Sequence, residues 1–216
     1  LRLRLGLVAE AEQALAFARL TMGPGMPASR ITEAALVAGH IHLARGRTVE
    51  AAHELSRALS HVVSTSDGEK VSECHRLGAR IALEDGDVER ARAEVTAALE
   101  RTTSTRGRAE SMLLSAMVAR AAGENAEEPA QKALQLAREA ADENLIREAH
   151  WLLYELFRAK NDEARARSHL ELSILLRDKI AERLPPELRR SFLARRDLRA
   201  LAAAEKAELG SRASDG

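Results

Sequence analysis

One pattern, Ala-x-x-x-Leu-x-x-Ala, recurs five times at a nearly constant interval and constrains this chain more than any other feature. Ala11-Leu15-Ala18, Ala51-Leu55-Ala58, Ala91-Val95-Ala98, Ala130-Leu134-Ala137 and Ala166-Leu170-Ser173 follow one another, with leading alanines 40, 40, 39 and 36 residues apart. That spacing puts the three side chains on one face of a helix, where small alanines admit a close neighbour and the larger residue fills the gap. A glycine stands five residues before the leading alanine in the first three copies (Gly6, Gly46, Gly86); Gly123 stands seven before the fourth and Asn161 five before the fifth. These positions read as turns between two helices. A second apolar-periodic segment precedes the later turns, as in Ala35-Ala38-Gly39-His42 and His75-Gly78-Ala79-Ala82. Each unit is therefore a helical hairpin, and hairpins that cannot bury their own faces stack into a shared core.

Composition supports an all-α chain. Of 216 residues, 45% are apolar and 31% charged, enough for a core, while aromatics are only 2% and are confined to Phe17, Trp151, Tyr154, Phe157 and Phe192. Ala, Leu, Arg and Glu, all strong helix formers, dominate. The 33 basic and 33 acidic residues cancel, so no global field draws nucleic acid or anionic lipid. Cys74 is the single cysteine; it excludes an internal disulfide and a cysteine-rich zinc cage and fits a reducing compartment. No apolar run approaches the roughly 18 to 20 residues of a membrane span, and Leu1-Arg2-Leu3-Arg4-Leu5 lacks a signal-peptide core. The expectation is a cytoplasmic protein with no membrane partner.

Capping chemistry marks the boundaries. Ser66-Asp67-Gly68-Glu69 and Asn125-Ala126-Glu127-Glu128 have capping-box spacing. Asp87 and Asp162 are suited to start second helices, and Pro129 and Pro186 to first turns. The breaker cluster Met22-Gly23-Pro24-Gly25-Met26-Pro27 reads as a loop.

The copy from Thr32 to about Val63 resembles a tetratricopeptide repeat, with Gly39 at the small position of the first helix, Gly46 at the turn, and Ala51, Leu55 and Ala58 in the second helix. The next copy matches through Gly78-Ala79, Gly86, Ala91, Val95 and Ala98. The family's usual tryptophan, tyrosine and terminal proline are mostly missing, and the period exceeds 34 residues, which leaves room for a related array such as HEAT. The resemblance implies a right-handed α-solenoid of antiparallel hairpins over residues 1–182, about five repeats with the first truncated. A capping helix is expected over 183–204 and a flexible tail over 205–216. Long-period arrays of this kind resemble the sensor arms of large bacterial signalling regulators linked to a kinase or ATPase. An array opening in mid-hairpin carries the expectation of a C-terminal piece of such a protein.

Searching for chemistry returns little. No GxxxxGK[ST] or GxGxxG string occurs, so nucleotide hydrolysis has no support. His40 and His42 project about 200° apart on a helix and cannot share a metal; the adjacent Cys74 and His75 fail similarly. No catalytic constellation, cofactor motif or metal motif is found, and the expectation is a protein that is not an enzyme. The resemblance implies instead that the second, fifth, ninth and twelfth positions of each first helix face a concave groove: Glu33, Leu36, His40 and Leu43; Glu73, Arg76, Arg80 and Leu83; Glu110, Leu113, Met117 and Arg120; Glu148, Trp151, Glu155 and Arg158. Among these, Arg76, Arg80, Met117, Arg120, Trp151 and Arg158 are the candidate contacts for a protein or peptide, since Arg and Trp dominate interface hot spots and Arg holds carboxylates in bidentate fashion. The competing structural readings are that Arg76 pairs with Glu73, that the recurring glutamates serve the helix dipole, and that Trp151 belongs to the core. The arginine-rich stretch from Arg177 to Arg199, with eight basic residues against four acidic, reads as a cap with a solvated face. Nucleic acid or an acidic partner there is the alternative function.

Overall fold

The computed structural model describes residues 2–23, 25–63 and 67–214, which form helices and no strand. A short 3₁₀ turn, Arg2–Leu5, is followed by eleven α-helices: α1 Val8–Leu20, α2 Ala28–Ala44, α3 Thr48–Val62, α4 Gly68–Glu84, α5 Val88–Arg101, α6 Thr105–Ala121, α7 Glu127–Glu139, α8 Glu143–Ala159, α9 Glu163–Glu182, α10 Pro186–Leu193 and α11 Arg196–Ser214. None is long and apolar enough to cross a membrane.

The hairpins α2/α3, α4/α5, α6/α7 and α8/α9 are the most intimate pairs, and each packs on the next through its second helix. The repeated wedge is their common core. Ala51, Leu55 and Ala58, Ala91, Val95 and Ala98, Ala130, Leu134 and Ala137, and Ala166, Leu170 and Ser173 are all buried. In α1 only Ala11 is fully buried, because among the described residues this helix packs on α2 and the 3₁₀ turn but on no full-length hairpin partner. Phe17 and Leu20 of α1 lie exposed. The buried side chains form successive clusters along the row, and neighbouring clusters share helices from α2 to α11.

Turn geometry repeats as closely as the wedge. After α2, α4, α6, α7 and α8 one residue adopts positive φ: Gly46 (70°), Gly86 (76°), Gly123 (72°), Ala141 (51°) and Asn161 (57°). In each case its amide and the next one bond back to the helix, as in Gly46 N to Leu43 O and Arg47 N to His42 O, the two-bond closure of a Schellman end. The following helix is then capped by side chains. Asp67, Asp87, Ser104, Asp142 and Asp162 each accept an amide of their own first turn. Asp67 caps α4, while Ser66 lies outside the described residues. Before α7, Ala126 occupies the cap position without a side-chain bond, and Asn125 Oδ1 accepts the Glu127 amide at 3.2 Å. Pro129 sits in the first turn of α7 and Pro186 opens α10. The loop between α1 and α2 falls on the breaker cluster, of which Pro24 lies outside the described residues.

Close approach explains Gly39. A Cβ there would stand 2.6 Å from Leu77 Cδ2, so the glycine lets α4 press its leucine onto the α2 backbone.

Beyond Glu182 the period stops. The segment 183–204, expected as a single capping helix, is divided between α10 and α11, and α11 continues through the expected tail to Ser214; residues 215 and 216 lie outside the described residues. Phe192, Leu198 and Leu201 are buried against the last hairpin. The 3₁₀ turn packs on α10, and Gly6, at φ 76°, approaches it so closely that a Cβ would stand 2.6 Å from Ser191 O.

Candidate functional site

The first helices of the hairpins, α2, α4, α6 and α8, touch their successors directly, whereas the second helices α3, α5, α7 and α9 show no comparable packing on one another. The first helices therefore form a closely stacked row, and the residues named from the sequence are all on it. Their fates differ. In α2, α4 and α6 the fifth position is buried: Leu36 and Leu113 are core residues, and Arg76 keeps a side-chain exposure of only 7%.

Arg76 is an internal strut rather than a free contact. Its Nη1 donates to Ser72 Oγ at 2.8 Å, its Nη2 to Glu69 Oε1 at 3.1 Å, and its Nε lies 3.3 Å from Glu110 Oε2 on the next first helix. Glu73, three residues away, pairs with Lys70 instead. The chain of charges continues. Arg106 bridges Glu110 at 2.7 Å and Asp142 at 2.8 Å, and Asp142 also caps α8. Glu69 reaches from the start of α4 to the loop before α6, accepting the amides of Thr103 and Ser104 and the Thr102 hydroxyl. Partial burial opposes its charge, but those bonds and Arg76 outweigh it and hold the carboxyl down at about 2. One polar thread thus joins α4, α6 and α8.

Further along the row, Arg120 is exposed and paired with Glu155 of the next hairpin. Arg158 is exposed, donates to Tyr154 Oη at 3.0 Å and stacks over its ring. Trp151 and Met117 are half-buried, packed against the cores, and the Trp151 ring lies 5.1 Å from that of Tyr154. Leu43 and Leu83 likewise pack against the cores.

Arg80 stands apart. Arg19, Arg76, Arg147, Arg177 and Arg195, which are sheltered from solvent among the described residues, are all salt-bridged. Arg80 is half-buried at the ninth position of α4 and makes no hydrogen bond or ion pair among the described residues. At the same position of α2, His40 feels it. Burial first, then the charges of Arg80 and Arg76, with Glu110 opposing, hold the His40 imidazole down at about 4. A neutral imidazole beside an unanswered guanidinium offers an anion one charge and one adjustable hydrogen-bond partner.

Other candidates are accounted for within the fold. Burial pushes the Cys74 thiol up to about 12, which removes thiolate reactivity at neutral pH. His75 pairs with Glu94 across its hairpin at 2.8 Å. No group of three or more metal-binding side chains occurs among the described residues. Within the arginine-rich end, Arg177, Lys179, Arg183 and Arg195 are in ion pairs. Arg189 donates to the carbonyls of Ala181, Glu182 and Leu184, closing the end of α9. What remains exposed there without a described partner is Arg190, Arg196 and Arg199. The links that Asp142 and Glu69 make between helices carry no signal in a linear reading, since those partners lie 36 and 33 to 35 residues away. No protein-family model matches the chain, and no curated protein is significantly similar to it.

Proposed function

We propose that this chain is a non-catalytic interaction module, a right-handed α-solenoid of tetratricopeptide type whose first helices form the concave wall that receives a protein or peptide. The observation that carries the reading is Arg80, a sheltered guanidinium without a carboxylate in a structure where its sheltered counterparts are matched. Such a group has given up hydration without regaining a charge partner, so an incoming carboxylate is favoured there more than at a solvated arginine. His40, Met117, Trp151 and Arg158 extend the contact surface along the row, and Arg120 joins it when Glu155 is released. Arg76 supports the wall from behind. In this reading the module is the sensor or scaffold arm of a larger bacterial signalling protein acting in the cytoplasm.

The test is selection of peptides on the full chain from a library displaying free C-termini and internal acidic residues. Selected peptides should share a carboxylate, and Arg80→Ala should weaken them at least about tenfold while Arg80→Lys retains part of the affinity. A library that yields no binder, or binders indifferent to Arg80→Ala, refutes the reading.

A further inference from the structure

Helix α11 sorts its charges by side. Asp197, Glu205 and Glu208 are half-buried and engaged with the last hairpin: Asp197 meets Arg147 at 2.8 Å, Glu205 meets Arg177 at 2.8 Å and Glu208 meets Arg167 at 3.6 Å. Leu198, Leu201 and Ala204 are buried on that inward side. Arg196, Arg199 and Lys206 are exposed, as are Ala200, Ala203 and Ala207. At about 100° per residue these six exposed positions fall within about 120° of arc, and none of the three carboxylates stands among them.

Arg196, Arg199 and Lys206 make no hydrogen bond or ion pair among the described residues. The acidic side chains of the helix are spent inward, which leaves three positive charges outward along about 15 Å of ridge. Arg196 and Arg199 also stand in the first turn, where the helix dipole disfavours cations. Folding alone gains nothing from them there.

We propose that this outer face of α11 binds the phosphate backbone of double-stranded nucleic acid without reading its sequence. Each strand of a duplex offers a phosphate about every 3.4 Å of axis, so the ridge lies along four or five of them, and guanidinium groups pair with phosphate oxygens in bidentate fashion. A tight protein interface centres on large side chains in desolvated pockets, and stable membrane attachment takes an apolar anchor besides a basic patch. Between these three cations stand only alanines. Single strands are held by stacking bases on aromatic rings, and α11 carries none. Backbone contact with a duplex asks only for fixed cations on an exposed ridge. Because the chain as a whole is neutral, the attraction belongs to this patch and is strongly salt-dependent. The surface is separate from the first-helix row.

The probe is a fluorescein-labelled DNA duplex of about 20 base pairs, titrated with the full chain by anisotropy between about 20 and 150 mM salt. The wild type should bind at the lowest salt, with a log–log salt slope of about −3. Arg196→Gln, Arg199→Gln and Lys206→Gln together should weaken binding at least about tenfold, and Arg199→Gln alone should reduce the slope by about 1. A comparison variant with Arg47→Gln, Arg90→Gln and Arg101→Gln removes the same charge from exposed positions elsewhere and should bind like wild type, as should Arg80→Ala. All six substituted positions of the two triple variants are exposed, so circular dichroism should be unchanged. On the wild-type chain the duplex should protect Lys206 from acetylation. Absence of binding at the lowest salt, equal loss in the two triple variants, or an unprotected Lys206 overturns the proposal. So does tighter binding of polyglutamate, of phosphatidylserine vesicles or of a single strand than of the duplex.

Discussion

Arg147 Nη2 lies 2.8 Å from Asp197 Oδ2, so a buried guanidinium of the last first helix holds the start of α11. Corresponding positions in the preceding first helices are Thr32, Ser72 and Ala109, all small and buried where the two helices of a hairpin meet. Ser72 donates to the Ala98 carbonyl across its hairpin at 2.8 Å. In the last hairpin the same two positions are linked with donor and acceptor exchanged, Ser173 Oγ donating to the Arg147 carbonyl at 3.2 Å. The Arg147 backbone thus keeps the contact of the repeat, while its side chain, 1% exposed, leaves the repeat to fasten the terminal helices.

Replacing Asp197 by Asn should therefore loosen α11 selectively. Glu148 and Asn144 still contact Arg147, so the expected loss is about 1.5 kcal/mol, the lower end of the range for a hydrogen bond to a charged group. Urea denaturation measures the total, and hydrogen exchange should show faster opening in α11 than in α4.

Glu69 should govern part of the acid stability. Its folded carboxyl titrates at about 2, below its ordinary value of 4.5, so the unfolded chain takes up its proton first as pH falls. The contribution is complete above about pH 4.5 and is lost on descending toward pH 2. Glu69→Gln should flatten the stability profile across that interval and lower the plateau at neutral pH by about 1–3 kcal/mol, measured by denaturation at stepped pH.

His150 and His169 define a second pH window. Their Nδ1 atoms are 2.8 Å apart across the α8/α9 hairpin, one imidazole donating to the other, and His169 stacks on Phe157. Burial, then the His169 and Arg138 charges, hold His150 at about 4; burial, Arg138 and Arg165, with Glu127 opposing, also depress His169. Both are neutral in the folded chain at pH 7. Stability is full above about pH 6.5 and falls as pH approaches 4, where the unfolded chain binds protons that the hairpin refuses. Phe at position 150 should remove part of that slope, and NMR titration of the wild type should show His150 resonances unmoved between pH 7 and 5.

Ala141 should be improvable. It holds φ 51° at the end of α7, where Gly46, Gly86 and Gly123 stand in the equivalent turns. A left-handed alanine costs about 1–2 kcal/mol; glycine relieves that strain, and its freer unfolded chain offsets part of the gain. Ala141→Gly should raise stability by about 0.5–1 kcal/mol, read as an increase in the denaturation midpoint at unchanged slope.

The wedges and turns were legible because they depend on neighbours three to five residues away. Ala51, Ala91, Ala130 and Ala166 must be small wherever a helix presses on them, and Gly46 and Gly86 must turn the chain. The ion-pair thread was not. Arg76 has a carboxylate three residues before it, yet its partners are Glu69, one full further turn away, and Glu110 on another helix. Lateral stacking of the first helices decides that choice, and the same stacking buries Leu36 and Leu113 at positions a repeat alignment assigns to a groove. The division between α10 and α11 at Ala194 and Arg195 carries neither glycine nor proline, so the local text offered no boundary there. Arg80 was named for its type, while what distinguishes it, the missing carboxylate, belongs to three dimensions.

A stack of like units ordinarily melts from its extremities inward, each terminal member leaving at little cost to the rest. The approach of Gly6 to Ser191 removes that freedom by joining the opening turn to the penultimate helix. Loss of α10 would therefore be felt at α1, nearly the whole chain away in sequence. A row of modules fastened in this way behaves as one hoop under stress.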